Sequence, residues 1–184
     1  QAITNLLRAQ EDGRVSSTCL SKHHVHTPFA LCEEILGQVQ FRKIPPVSKY
    51  LVMFNLEFLQ RLKKFIYFDV EIVYYYTTDI NKARLAKMLF PDVEVIDNLE
   101  DGMKFDVIVG NPPFNGSKTE IKGTRAKQLF REFAEKCLTL ADSVHLVLPS
   151  LWTHKTGTLK SSLFRYGLKA CHACSIPGID ISMC

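Results

Sequence analysis

The sequence predicts an α/β protein with a doubly wound, mainly parallel sheet that carries helices on both faces. Short apolar segments rich in β-branched and aromatic residues alternate along the chain with segments of helical periodicity. Parallel strands require crossover connections and are buried on both sides, so this alternation favours a covered parallel sheet. The 184 residues, 46% hydrophobic and 23% charged, have a composition typical of one globular domain.

The first element predicted with a clear pattern is a helix at residues 27–39. Thr27 can act as its N-cap, Pro28 suits the first helical position, and apolar residues follow at helical spacing. Residues 1–26 are polar without a sustained period and are expected to form a tail, which leaves residues 27–184 as the folded domain. The pair Pro45 and Pro46 predicts a linker, because two prolines remove two backbone donors and end any helix.

The rest of the chain alternates between strands and helices. Strands are predicted at 50–55, 71–78, 93–97, 105–110, 144–150 and 169–175. Helices are predicted at 56–65, 80–90, 125–141 and 158–167. Ligands of such sheets bind beyond the carboxyl ends of the strands, near the point where strand order reverses. Residues directly after each strand are therefore where we expect the chemistry.

Charge and hydropathy narrow the class of protein. A formal net charge of +4 is compatible with a nucleic-acid partner but is below that of a dedicated nucleic-acid-binding domain. No apolar run reaches the roughly 20 residues that cross a bilayer, and the first residues lack the pattern of a signal peptide. We expect an intracellular protein, cytoplasmic or associated with nucleic acid. The chain begins with Gln1 rather than Met, which suggests a fragment or a processed chain.

The six cysteines are interpreted as reduced thiols, because they are too sparse for a disulfide scaffold. Cys171 and Cys174 form a single CxxC without a second pair, and are interpreted as small buried residues on a strand. The histidines of the tail, at 23, 24 and 26, have no acidic or cysteine partner nearby in sequence. No metal site is therefore predicted.

The segment FDVIVGNPPFNG, residues 105–116, is the most informative in the chain. Pro112 and Pro113 fix φ twice and remove two donors, so the loop is stiff and its carbonyls can accept hydrogen bonds from a ligand. Asn111 beside the Pro112 carbonyl provides two acceptors, which can receive both hydrogens of one exocyclic amino group. Phe114 adds an aromatic face on which a planar base could stack.

FDVIVGNPPF closely resembles the (N/D)PP(F/Y) motif of the amino-methylating DNA methyltransferases, and its Asn-Pro-Pro-Phe form is similar to the N6-adenine branch. The resemblance covers roughly residues 24–175. It implies a Rossmann-like methyltransferase domain, S-adenosylmethionine as cofactor, DNA with a flipped adenine as partner, and a place in restriction-modification. Asn111, Pro112, Pro113 and Phe114 are the catalytic residues that it implies.

The resemblance also implies a set of cofactor residues. HTPFALCEEIL resembles the Thr-Pro motif at a helix start that contacts the methionine end of the cofactor, which assigns Thr27 and Pro28. Asp79, after the strand in YYYTTDIN, matches the acid that holds the ribose hydroxyls, since a carboxylate has two acceptor oxygens. Asp97 in VEVIDN matches the acid that reads the cofactor's adenine amino group, and Asn98 is adjacent.

The sequence departs from the family pattern in the first strand and its loop. The family has a glycine-rich loop there, whereas YLVMFNLEFLQRL contains no glycine. Either Phe54, Asn55 and Glu57 form a variant cofactor pocket, or the pocket is closed. Phe54 is equally compatible with a role in the core.

A second departure is that only ten residues follow position 174, so no target-recognition region is expected. Sequence-specific reading of DNA would then come from missing chain or from a partner subunit. Lys118, Lys122 and Arg125 follow the NPPF loop and are candidates for phosphate contacts, with a solvated loop as the alternative.

Three functions remain open from the sequence. The first is an adenine-specific, S-adenosylmethionine-dependent DNA methyltransferase. The second is a catalytically inactive methyltransferase-like subunit that binds nucleic acid or serves as a scaffold in a larger assembly, which the glycine-free loop favours. The third is methylation of RNA or of a protein glutamine, which would use the same loop on a different planar amine or amide. DNA and RNA substrates are not distinguished, because no element that senses a 2′-hydroxyl can be identified.

Overall fold

The computed structural model of the protein describes residues 27–39, 41, 48–67, 71–113 and 129–148. The predicted tail, the proline linker and the predicted elements from 158 onward lie outside these residues. The described elements alternate as the sequence predicts. In chain order they are α1 (Phe29–Gln38), β1 (Lys49–Met53), α2 (Leu56–Leu62), β2 (Ile72–Tyr76), α3 (Ile80–Leu89), β3 (Glu94–Ile96), β4 (Phe105–Gly110), α4 (Leu129–Leu140) and β5 (Ala141–Leu146).

The five strands form one parallel sheet in the order β3-β2-β1-β4-β5. The chain builds outward from β1 to β3 on one side, then returns to place β4 on the other side of β1. Strand order therefore reverses between β1 and β4, where Met53 pairs with Gly110. The predicted doubly wound parallel fold is confirmed, and the crevice expected for ligands lies at the carboxyl ends of these two strands.

The core lies on both faces of the sheet. One face packs against α1, α2 and α3, and the other packs against α4. The central strand β1 shows why its sequence is apolar without alternation: Leu51, Val52 and Met53 are all fully buried. The apolar face of α4 agrees with this packing, since Phe130, Cys137 and Leu140 are buried.

Several predicted boundaries shift by one or more residues, and three of these shifts have a visible cause. Thr27 does not cap α1: the helix begins at Phe29 after Pro28 without a side-chain cap, and the Thr27 hydroxyl is used elsewhere. β1 ends at Met53 because Phe54 adopts a φ of 67°, outside the strand region. β5 begins at Ala141 rather than 144, since Ala141 and Ser143 extend the pairing with β4.

None of the described helices is both long and apolar enough to cross a membrane.

Gly110 allows β1 and β4 to approach closely where strand order reverses. A Cβ at this position would lie 2.7 Å from both the Cβ and the carbonyl oxygen of Met53. We expect Gly110→Ala to lower the free energy of unfolding by about 1 to 3 kcal/mol, the usual cost of forcing an extra group into a packed core. Urea denaturation measures the change.

Gly37→Ala is the matched control for this substitution. Gly37 lies in α1 with nothing within 4 Å of an added Cβ, so alanine there should raise stability by up to about 1 kcal/mol through helix propensity. Unchanged stability in Gly110→Ala would show that the two strands are not as close as described.

Candidate active site

The Asn-Pro-Pro segment leaves the carboxyl end of β4 and is held by the start of α1. Asn111 is 4% exposed, and its Nδ2 donates a 3.0 Å hydrogen bond to Oγ1 of Thr27, which is fully buried. The two predicted segments are 84 residues apart in sequence and meet at this bond. The bond sets the orientation of the Asn111 side-chain amide. Within this amide Nδ2 is the donor to Thr27, and Oδ1 is the acceptor. Pro112 is buried and Pro113 partly exposed.

The start of α1 is itself fixed against α2. The Arg61 guanidinium lies 4.0 Å from the centre of the Phe29 ring and 3.2 Å from Oε1 of Glu33. Lys64 Nζ lies 2.5 Å from the same oxygen, and this hydrogen bond is the largest cause that lowers the pKa of Glu33. These contacts tie the helix that follows Thr27 to the helix that follows β1.

The loop after β1 contributes backbone to the edge and a side chain to the core. The Phe54 ring is 1% exposed and makes edge contacts with Tyr76 and Phe133 at centroid distances of 5.1 and 5.0 Å. The ring therefore occupies the core, as one of the two interpretations of this side chain proposed. Asn55, the next residue, is 3% exposed. Contact of the Phe54 and Asn55 backbone with a cofactor stays a prediction.

Asp79 follows β2 and caps α3. Its Oδ1 accepts from the backbone N–H of Asn81 at 2.9 Å and of Lys82 at 3.3 Å, while its own N–H donates to Oγ1 of Thr77 at 3.1 Å. The carboxylate is thereby held at a helix start, where two donors stabilise its charge. It remains partly exposed, so it is accessible to a ligand at the edge.

Asp97 and Asn98 follow β3 and are both exposed. Asp97 acts electrostatically on Tyr76: burial is the largest cause that raises the pKa of this tyrosine, and the Asp97 carboxylate adds to it. Because Tyr76 also contacts the Phe54 ring, the ends of β1, β2 and β3 are neighbours along one edge.

Two polar residues at this edge, Tyr75 and Lys82, were not identified from the sequence. The carbonyl oxygen of Phe54 accepts from the Tyr75 hydroxyl at 2.8 Å and from Lys82 Nζ at 3.0 Å. Burial lowers the pKa of Lys82, against the opposite effect of the Glu57 and Asp79 carboxylates. Lys82 has no distinct sequence signal, because a lysine in a first helical turn is usually solvated.

Some predicted residues lie outside the described part of the chain. They are Phe114, Lys118, Lys122 and Arg125, together with the CxxC and the histidines of the tail. Within the described ranges, no group of His, Cys, Asp and Glu side chains is arranged to hold a metal ion. Cys32 and Cys137 are buried thiols.

Known structures of similar fold include three proteins of low identity. The Thermoplasma acidophilum protein 1320 shares 15% identity at a TM-score of 0.48, over 74% of this chain and 66% of that one. The 23S rRNA methyltransferase ErmE shares 14% identity at a TM-score of 0.49, over 72% of this chain and 51% of that one. A TehB-like SAM-dependent methyltransferase from Corynebacterium glutamicum shares 14% identity at a TM-score of 0.47, over 90% of this chain and 84% of that one. This chain thus spans only part of the first two. No curated protein matches it.

A protein-family model, described as the Eco57I restriction-modification methylase, matches residues 47–176. The matched region begins just before β1, includes the Asn-Pro-Pro segment and takes in more than half of the chain. The resemblance noted in the sequence is therefore confirmed at the level of the family. The chain belongs to the Eco57I restriction-modification methylase family.

Proposed function

We propose that the protein transfers a methyl group from S-adenosylmethionine to the N6 amino group of adenine in DNA. The observation that carries this proposal is the placement of Asn111 and Pro112 at the point where strand order reverses, with the Asn111 amide oriented by Thr27. Membership of a restriction-modification methylase family supports DNA as the substrate.

The residues at the edge of the sheet fit the cofactor chemically. S-Adenosylmethionine carries ribose hydroxyls, an adenine amino group and a methionine end, which need acceptors and donors at separate positions. Asp79 offers a fixed, partly exposed carboxylate for the hydroxyls, and Asp97 with Asn98 offers exposed acceptors for the base. Thr27, Pro28 and the backbone of Phe54 and Asn55 would face the methionine end. The group would supply an activated methyl on a sulfonium centre.

The chain's own residues would position the target base rather than act as a strong base. A flipped adenine is required, because its amino group cannot be reached inside the duplex. Oδ1 of Asn111 and the Pro112 carbonyl would accept the two amino hydrogens, which directs the nitrogen lone pair toward the methyl. Phe114 would stack on the base, with Pro113 stiffening the loop. Alignment and electrostatic positioning would then account for the rate.

Recognition of DNA would need groups beyond the described residues. Lys118, Lys122 and Arg125 follow the catalytic segment and are proposed to contact phosphates. Selection of a sequence would require groups that read base edges in the grooves.

A second candidate function is an inactive methyltransferase-like subunit that binds nucleic acid or serves as a scaffold. The observation that favours it is the glycine-free loop after β1, with a phenylalanine at positive φ. Calorimetric titration with S-adenosylmethionine separates the two candidates. Saturable binding supports the enzyme, and no binding at millimolar cofactor by the folded protein would favour the subunit.

Asp79→Asn tests the ribose assignment within the same titration. Asparagine keeps an oxygen that can cap α3, and it caps helices about as well as aspartate, so the urea midpoint should hardly move. Loss of the charge should weaken cofactor binding by about tenfold or more, since hydrogen bonds to charged groups contribute about 1.5 to 3 kcal/mol. Cofactor affinity equal to that of the wild type would remove Asp79 from the site.

A further inference from the structure

The turn after β1 has a strained backbone. The N–H of Asn55 donates to the carbonyl oxygen of Met53 at 2.9 Å, across a central residue, Phe54, whose φ is 67°. An i to i+2 hydrogen bond about a residue of positive φ characterises the rarer, strained form of the γ-turn. A bulky residue in this conformation is strained, so neighbouring groups must hold it.

Two side chains converge on the Phe54 carbonyl oxygen and hold this turn. Tyr75 reaches it from β2 and Lys82 from the first turn of α3, and we call these two residues the Phe54 clamp. The Phe54 N–H is also engaged, because it donates to the carbonyl oxygen of Tyr76 at 2.9 Å. Both ends of the Phe54 residue are therefore fixed by β2 and the helix that follows it.

The clamp connects the turn to the predicted ribose acid. Asp79 caps the helix turn that carries Lys82, and its Oδ1 accepts from the Lys82 backbone N–H. The Lys82 side chain then reaches back across the edge to β1. The loop after β1 and the acid after β2 are thus linked through one residue.

We propose that Tyr75 and Lys82 are positioning residues for the cofactor. They set the path of the Phe54–Asn55 backbone, at a place where a glycine-rich loop would otherwise allow the backbone to approach the cofactor closely. This inference rests on the proposed function. A glycine would adopt positive φ without cost, whereas here two hydrogen bonds impose it on a residue whose ring is needed in the core. The clamp would act through the backbone and would not touch the reacting atoms.

The test compares Tyr75→Phe, Lys82→Met and the double variant with the wild type, by titration with S-adenosylhomocysteine and by steady-state kinetics. Tyr74→Phe and Lys87→Met are matched controls, because Tyr74 lies on the adjacent position of β2 and Lys87 is exposed on α3. Loss of Lys82 should weaken binding by about 10- to 100-fold and loss of the Tyr75 hydroxyl by about 3- to 10-fold, following the usual worth of charged and neutral hydrogen bonds.

Further readouts separate positioning from general stability. The KM for S-adenosylmethionine should rise more than kcat falls, and the Asn55 amide should exchange faster with solvent while the Val52 amide keeps its protection. Wild-type affinity and unchanged exchange at Asn55 in both single variants would overturn the inference while the proposed function stands. A wild-type protein that binds no cofactor would overturn the proposed function and this inference with it. If the double variant does not fold, the single variants decide.

Discussion

Asn111→Ala is expected to lower the rate of methyl transfer by about two orders of magnitude or more, in line with the loss of one positioned polar group at a reacting centre. The substitution removes one of the two acceptors proposed for the adenine amino group. It also removes the donor that meets Thr27, so the free energy of unfolding should fall by only about 1 kcal/mol. Single-turnover methylation of DNA and urea denaturation measure the two effects separately.

Thr27→Val provides the control for Asn111→Ala. Valine matches threonine in shape but cannot accept the hydrogen bond from Nδ2, so the amide loses its orientation while Oδ1 is kept. We expect a loss of rate clearly smaller than that of Asn111→Ala. Near-normal turnover in Asn111→Ala would mean that the Asn-Pro-Pro segment is a structural turn.

Phe54→Ala is expected to lower the free energy of unfolding by about 3 to 5 kcal/mol, because the ring fills the space between Tyr76 and Phe133. The substitution leaves a cavity beside β1 and keeps the strained backbone of the turn. Met88→Ala is the control: Met88 is 78% exposed on α3, so its loss should change stability by no more than about 0.5 kcal/mol. A cost below about 1 kcal/mol at Phe54 would contradict its place in the core.

Much of the fold could be predicted because burial on both faces makes parallel strands apolar throughout. β1 shows this in the run Leu51, Val52 and Met53, which reads as a strand without any tertiary information. The strand order could not be predicted, since it depends on which neighbours pair. The N-cap prediction at Thr27 was wrong because its hydroxyl bonds to a residue 84 positions away, which no local pattern reveals.

Part of the candidate site could also be predicted from the sequence. Positions after strands could be named from the chain alone, and the family resemblance assigned roles to residues such as Asp79 and Asn111. The absence of glycine after β1 is visible in the sequence. Its structural consequence could not be predicted, because the positive φ of Phe54 and the approach of Tyr75 and Lys82 depend on the pairing of β1 with β2.

The most direct test of the central claim is analysis of the methylated product. The protein is incubated with methyl-labelled S-adenosylmethionine and with DNA, RNA or protein as the methyl acceptor in separate reactions, with Asn111→Ala in parallel. The nucleic acids are digested to nucleosides, and the labelled products are identified by mass spectrometry. We expect labelled N6-methyl-2′-deoxyadenosine from the DNA, reduced about 100-fold or more in the variant. Label found only in RNA or protein, or no transfer by a wild-type protein that binds the cofactor, would contradict it.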